Sequence, residues 1–112
     1  MNGVSMDKER EVLATIPDLV RKELLKIDEK SEIFLFGSRA RGDFREDSDW
    51  DFLVLLNKRA TSPMKDLIRE KLYDLELATD QVISSIIYEK DNWAELGVMP
   101  LHQIISEEGI EV

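Results

Sequence analysis

The chain has 112 residues, no cysteine, 43% hydrophobic residues and a formal net charge of -9. That length fits one domain spanning 1–112 with a small core, and the missing cysteines exclude disulfides and thiolate zinc sites and favour a cytoplasmic location. The acidic balance argues against non-specific nucleic-acid binding, which needs basic surface. No apolar run reaches the roughly 18 residues of a membrane helix, so no membrane association is expected, and the opening MNGVSMDKEREV lacks the apolar stretch of a signal peptide.

Residues 8–27 read as helix, because Val12, Leu13, Ile16, Leu19, Val20, Leu24 and Leu25 recur at spacings of three and four and share a face. Pro17 interrupts that pattern, which predicts a break near Thr15 or Ile16 with the proline in the first turn of a second helix. Glu32 to Phe36 (EIFLF) is a strand ending at Gly37, and Trp50 to Leu56 (WDFLVLL) is a second. Between them Ser38 to Arg41 has room for a short helix before Gly42. Ser62 as N-cap and Pro63 at the first position start a helix running to about Leu77, with Leu67, Ile68, Leu72, Leu75 and Glu76 on successive turns. Val82 to Tyr88 (VISSIIY), rich in β-branched residues, is a third strand. Short helices are expected over Asp91–Leu96 and Leu101–Glu108, the second stopped at Gly109. The order α-β-turn-β-α-β-α predicts an α+β fold, a small mixed sheet with helices packed mainly on one face.

Two features stand out. The first is Asp49-Trp50-Asp51 at the entrance of an apolar strand. Alternation puts both carboxylates on one face, roughly 6.5–7 Å apart at their Cα atoms, and Trp50 on the other. Two convergent carboxylates raise each other's pKa, and a divalent cation relieves them; Mg²⁺ takes one or two carboxylates together with phosphate oxygens and water. The alternative is a surface role, with Asp49 capping a turn and Asp51 paired to Arg39 or Arg41. The second feature is Gly37-Ser38 directly after a strand. Backbone N–H groups and a hydroxyl at such a strand-to-helix turn form an anion site, and glycine lets a phosphate approach the backbone. The spacing is not that of a P-loop, and no lysine is placed to reach the phosphates.

Together, Gly37-Ser38, ten intervening residues and Asp49-x-Asp51 resemble the signature of the nucleotidyltransferases of the DNA polymerase β superfamily. Gly37-Ser38-Arg39-Ala40-Arg41-Gly42 and Ser48-Asp49-Trp50-Asp51-Phe52-Leu53-Val54 are most similar to its minimal nucleotidyltransferase (MNT) branch. The resemblance implies a polymerase β palm-like nucleotidyltransferase fold and a Mg²⁺-dependent enzyme that transfers NMP, AMP from ATP above all, to an acceptor. It implies that Gly37 and Ser38 hold the triphosphate and that Asp49 and Asp51 bind metal. Arg39 and Arg41 are candidates to steady the phosphates, with surface ion pairs to Asp43, Glu46 or Asp47 as their alternative. A third carboxylate normally comes from the next strand; the candidate here is Asp80, with a turn role as its alternative. No acceptor-binding domain is visible in these residues. In the MNT branch that role falls to a separate helical HEPN-type protein, the pair forming a toxin–antitoxin system in which the MNT member modifies the toxin by AMP transfer or neutralises it by contact alone. The acidic charge suits a basic partner. His102, the single histidine, reads as surface or helix packing, Trp93 as an anchor for the last helices, Leu96 to Ile105 as packing or a partner surface, and Glu107, Glu108 and Glu111 as a solvated tail.

Overall fold

A computed structural model of the chain describes residues 16–112. Helix α1 spans Ile16–Ile27 and buries Ile16, Val20 and Leu24, one residue per turn along a single stripe. Pro17 lies in its first turn, where a missing N–H costs little. The predicted helical stretch over 8–15 lies outside the described residues.

The sheet has four strands in the order β3-β2-β1-β4. β1 (Glu32–Phe36) runs antiparallel to β2 (Trp50–Leu56), from Glu32 opposite Leu55 to Phe36 opposite Asp51. Both strands have the bounds expected from sequence, because each apolar run ends at polar or glycine residues. Between them lies α2, the single turn Ser38–Arg41, closed by Gly42 in the left-handed region. Helix α3 (Ser62–Thr79) then crosses back so that β3 (Ile83–Glu89) runs parallel to β2, the usual use of a helical crossover. β2 is therefore central, and every residue in it except Asp51 is buried.

The cap of α3 is Thr61, not Ser62; its side chain accepts from the Met64 N–H at 3.3 Å. The helix runs two residues past the expected end, and Asp80 caps it in the left-handed region at φ 56°. Ile68 and Leu72 are buried, but Leu67 points to solvent. β3 starts at Ile83, one residue late, because the Glu76 carboxylate accepts its N–H at 2.7 Å and leaves Val82 exposed.

Helices α4 (Lys90–Glu95) and α5 (Pro100–Glu108) come next, and α5 stops at Gly109 as expected. Beyond them the sequence pattern suggested a solvated tail. Instead Ile110–Glu111 forms β4, pairing antiparallel with Phe34 and Leu35 of β1. That pairing covers the outer edge of β1.

Two hydrophobic clusters sit on opposite faces. The two long helices α1 and α3 pack over Ile33, Leu35, Trp50, Phe52, Val54, Leu56, Ile83 and Ile87. The two short ones, α4 and α5, place Trp93 and Ile105 over Leu53 and Leu55. Trp93 is the predicted anchor, and His102 stacks on it with ring centroids 4.6 Å apart. The helical mass thus lies mainly on the Trp50 face, and the opposite face is left partly open at the Asp51 end of β2.

Candidate functional site

The site is set by the pairing of β1 with β2. Because Phe36 faces Asp51 across the ladder, the next residue, Gly37, turns away directly beside the Asp51 carboxylate. A Cβ at Gly37 would collide with that carboxylate, and Gly37 has φ +75°, a conformation that L side chains rarely adopt. Both facts require glycine. Its carbonyl accepts from the N–H groups of Ala40 and Arg41, each at 3.1 Å, and the Gly42 N–H closes the turn on the Ser38 carbonyl at 2.9 Å. Ser38 opens this turn, so its N–H belongs to the first groups of a helix, which lack an intrahelical partner.

Asp49 sits one residue before β2 and Asp51 is its second residue. Burial pushes the Asp51 carboxyl above its ordinary value, the negative charge of Asp49 pushes it further the same way, and Arg41 opposes the rise. The charge of Asp49 is thus felt at Asp51, while Trp50 packs in the core cluster on the other face and donates its indole N–H to Gln81 at 3.1 Å.

The two arginines differ. Arg39 makes no ion pair among the described residues. Its guanidinium lies 4.4 Å from the ring centroids of both Phe44 and Trp50, and it donates to the carbonyls of Ser48 at 3.2 Å and Glu46 at 3.1 Å. It clamps the 43–49 loop that delivers Asp49, a job the sequence pattern did not reveal. Arg41 is exposed and bridges Asp43 and Glu108, both at 3.3 Å; the bond to Glu108, then that to Asp43, makes its guanidinium still harder to deprotonate. Glu108 thus leaves the predicted solvated tail and joins the rim of the site.

Asp80 does not join the aspartate pair. It is the exposed C-cap of α3, and among the described residues no three acidic or histidine side chains are gathered around a common metal position. The residue that faces Asp51 across the β2–β3 ladder is Ser84. Strand parity alone did not give this, because it fixes faces and leaves register open.

A further acidic residue, with no signal in the sequence, is Asp28. It is 1% exposed and accepts the N–H groups of Asn57 at 2.7 Å, Lys58 at 2.8 Å and Lys30 at 3.1 Å. Burial raises its carboxyl, but the bonds from Lys58, Lys30 and Asn57 outweigh that and hold it below its ordinary value. It ties the end of α1 to the end of β2 and plays no part in the aspartate site.

The donor set fits an oxygen-loving divalent cation that brings phosphate with it. Two carboxylates, one of them packed directly against the side-chain-free Gly37 of the turn, offer hard oxygens that suit Mg²⁺ rather than a softer metal.

Comparison with known proteins speaks to the family and the fold. The family described as "Nucleotidyltransferase domain" matches residues 18–109. A Methanocaldococcus jannaschii protein, named provisionally as a protein adenylyltransferase, is 41% identical over 63 residues, which are 56% of this chain and 64% of that protein; the match thus spans less than two thirds of the relative's length. A crystal structure described as a toxin–antitoxin with AMP-PNP superposes with a TM-score of 0.63 at 22% identity, covering 86% of this chain and 71% of the other. At that identity the likeness concerns the fold.

Proposed function

The chain belongs to the nucleotidyltransferase domain family, and from that premise we propose that it transfers NMP, AMP from ATP, to a hydroxyl of a protein partner. The close approach of Gly37 to the Asp51 carboxylate is the observation that supports this reading. In it, the backbone at Gly37 and Ser38 receives the β- and γ-phosphates. Asp49 and Asp51 hold Mg²⁺, which when bound neutralises phosphate charge and makes the acceptor hydroxyl more acidic. Arg41, exposed at the rim and near Asp51, steadies the triphosphate. Arg39 acts one step back, fixing the loop from which Asp49 extends. The acceptor hydroxyl releases its proton to solvent and its oxygen bonds the α-phosphorus, while the bond from that phosphorus to the bridging oxygen breaks and pyrophosphate leaves.

The acceptor is proposed to be a helical HEPN-type protein, with this chain as the antitoxin of the pair in the cytoplasm. Support comes from the relative named for protein adenylyltransfer, from the toxin–antitoxin structure that shares the fold, and from the net charge of -9, which suits a basic partner. One observation favours a second reading, a binding module that neutralises its partner by contact with weak or no catalysis: Asp80 is not gathered with Asp49 and Asp51.

The deciding experiment incubates the chain with α-labelled ATP, Mg²⁺ and the helical protein of the neighbouring gene. Label on that protein, reduced roughly 10²–10³-fold in Asp49→Asn/Asp51→Asn, is the expected result. An unlabelled partner that the double variant neutralises fully would establish the contact-only reading.

A further inference from the structure

The parallel ladder between β2 and β3 is continuous from Trp50 opposite Ile83 to Leu56 opposite Glu89, which fixes its register. Paired residues of a parallel ladder point to the same face, and the core shows it. Trp50, Val54 and their partners Ile83 and Ile87 all lie in the cluster under α1 and α3, whereas Leu53 and its partner Ile86 lie in the cluster under α4 and α5. Asp51 and Ser84 are partners on that second face. Neighbouring strands stand about 4.8 Å apart, so the Ser84 hydroxyl and the Asp51 carboxylate rise side by side. Ser84 is exposed, and no hydrogen bond within the described residues occupies its hydroxyl.

We infer that the Ser84 hydroxyl is the third protein oxygen of the cation site formed by Asp49 and Asp51, the place Asp80 does not reach. This rests on the nucleotidyl-transfer reading of the site. A hydroxyl offers a lone pair and no charge. Two carboxylates then balance one divalent cation, and the remaining coordination falls to phosphate and water, the habit of Mg²⁺ at nucleotide sites. The site consequently holds its cation weakly alone and firmly together with a triphosphate, so cation and nucleotide bind as a unit.

Mn²⁺ binding, followed by the paramagnetic resonance of the free ion, tests this with and without a non-hydrolysable ATP analogue. Ser84→Ala is expected to weaken Mn²⁺ binding on the order of tenfold in the presence of the analogue. Ser84→Thr keeps a hydroxyl, suits a strand and retains wild-type affinity. Ser84→Asp adds the missing charge and binds Mn²⁺ about tenfold more tightly than wild type without nucleotide. Ser85→Ala, on the opposite face of β3, matches wild type. Unfolding midpoints measured without metal show that each variant is folded. If Ser84→Ala and Ser84→Asp both bind like wild type while Asp49→Asn/Asp51→Asn does not bind, Ser84 is a solvent-facing serine and the inference falls, with the parent reading intact. If wild type shows no Mn²⁺ binding under either condition, both fall.

Discussion

Asp51 carries a conflict between stability and use. Its carboxyl is raised, first by burial and then by Asp49, so the ionised form costs folding free energy at neutral pH. A carboxyl raised in the folded state contributes stability that is fully present below its unfolded value and is lost as pH climbs through the higher folded value. Asp51→Asn is therefore expected to unfold at a higher temperature than wild type at pH 7, with the difference shrinking as the pH approaches 4. Calorimetry across that range checks it, and an Asp51→Asn protein less stable than wild type at pH 7 would show that the repulsion is already relieved. Strain of this kind is common where a site awaits a ligand. Gly37 shows the same coupling from the other side: its missing side chain leaves the space that Asp51 occupies.

At the scale of elements, α2 and the loop after it act as one piece. Arg39 packs against Phe44 and Trp50 and bonds two loop carbonyls, so the Gly37–Ser38 turn and the loop bearing Asp49 are held in fixed relation. A lysine cannot supply a planar fork or stack in the same way. Arg39→Lys is expected to speed amide hydrogen exchange over 43–49, to lower AMP transfer about tenfold, and to reduce stability by about 1 kcal/mol or less. Unchanged exchange in that loop would remove the clamp from the account. Between residues and elements lies the register of β3, which assigns Ser84 and not Asp80 to the neighbourhood of Asp51.

For the molecule as a whole, Asp28 is the polar joint between the end of α1 and the far end of the sheet. It is buried and fully engaged by backbone donors, and Lys58 strengthens the joint by donating its Nζ to the Ile27 carbonyl at 3.0 Å. Its carboxyl sits below the ordinary 3.8. The sign is opposite to that of Asp51: the stability it contributes is fully present above that ordinary value and disappears as pH falls through the lower folded value. Asp28→Asn should cost about 1–3 kcal/mol in urea unfolding at pH 7, a gap that closes as the wild type is taken to lower acid pH. An unaltered urea midpoint at pH 7 would mean the amide satisfies the same donors.

Sequence alone determined a good deal. Apolar runs with polar or glycine ends fixed β1 and β2 to the residue, and alternation put Trp50 on the face opposite Asp51. The resemblance carried by Gly37-Ser38 and Asp49-x-Asp51 pointed to the nucleotidyltransferase family that the match over residues 18–109 shows. These signals are local, carried by residues that are neighbours in the chain. What tertiary structure decided were contacts between distant segments. β4 is only two residues long, Ile110–Glu111, and exists because β1 offers an edge. Glu108 meets Arg41 across 67 residues, and Asp28 meets Asn57 and Lys58 through loop packing. The length of α3, set by the Thr61 and Asp80 caps and by Glu76 holding Ile83, decides which residue of β3 reaches Asp51. Periodicity reports which face a side chain takes, but the partner it meets there is settled only when helices and strands dock.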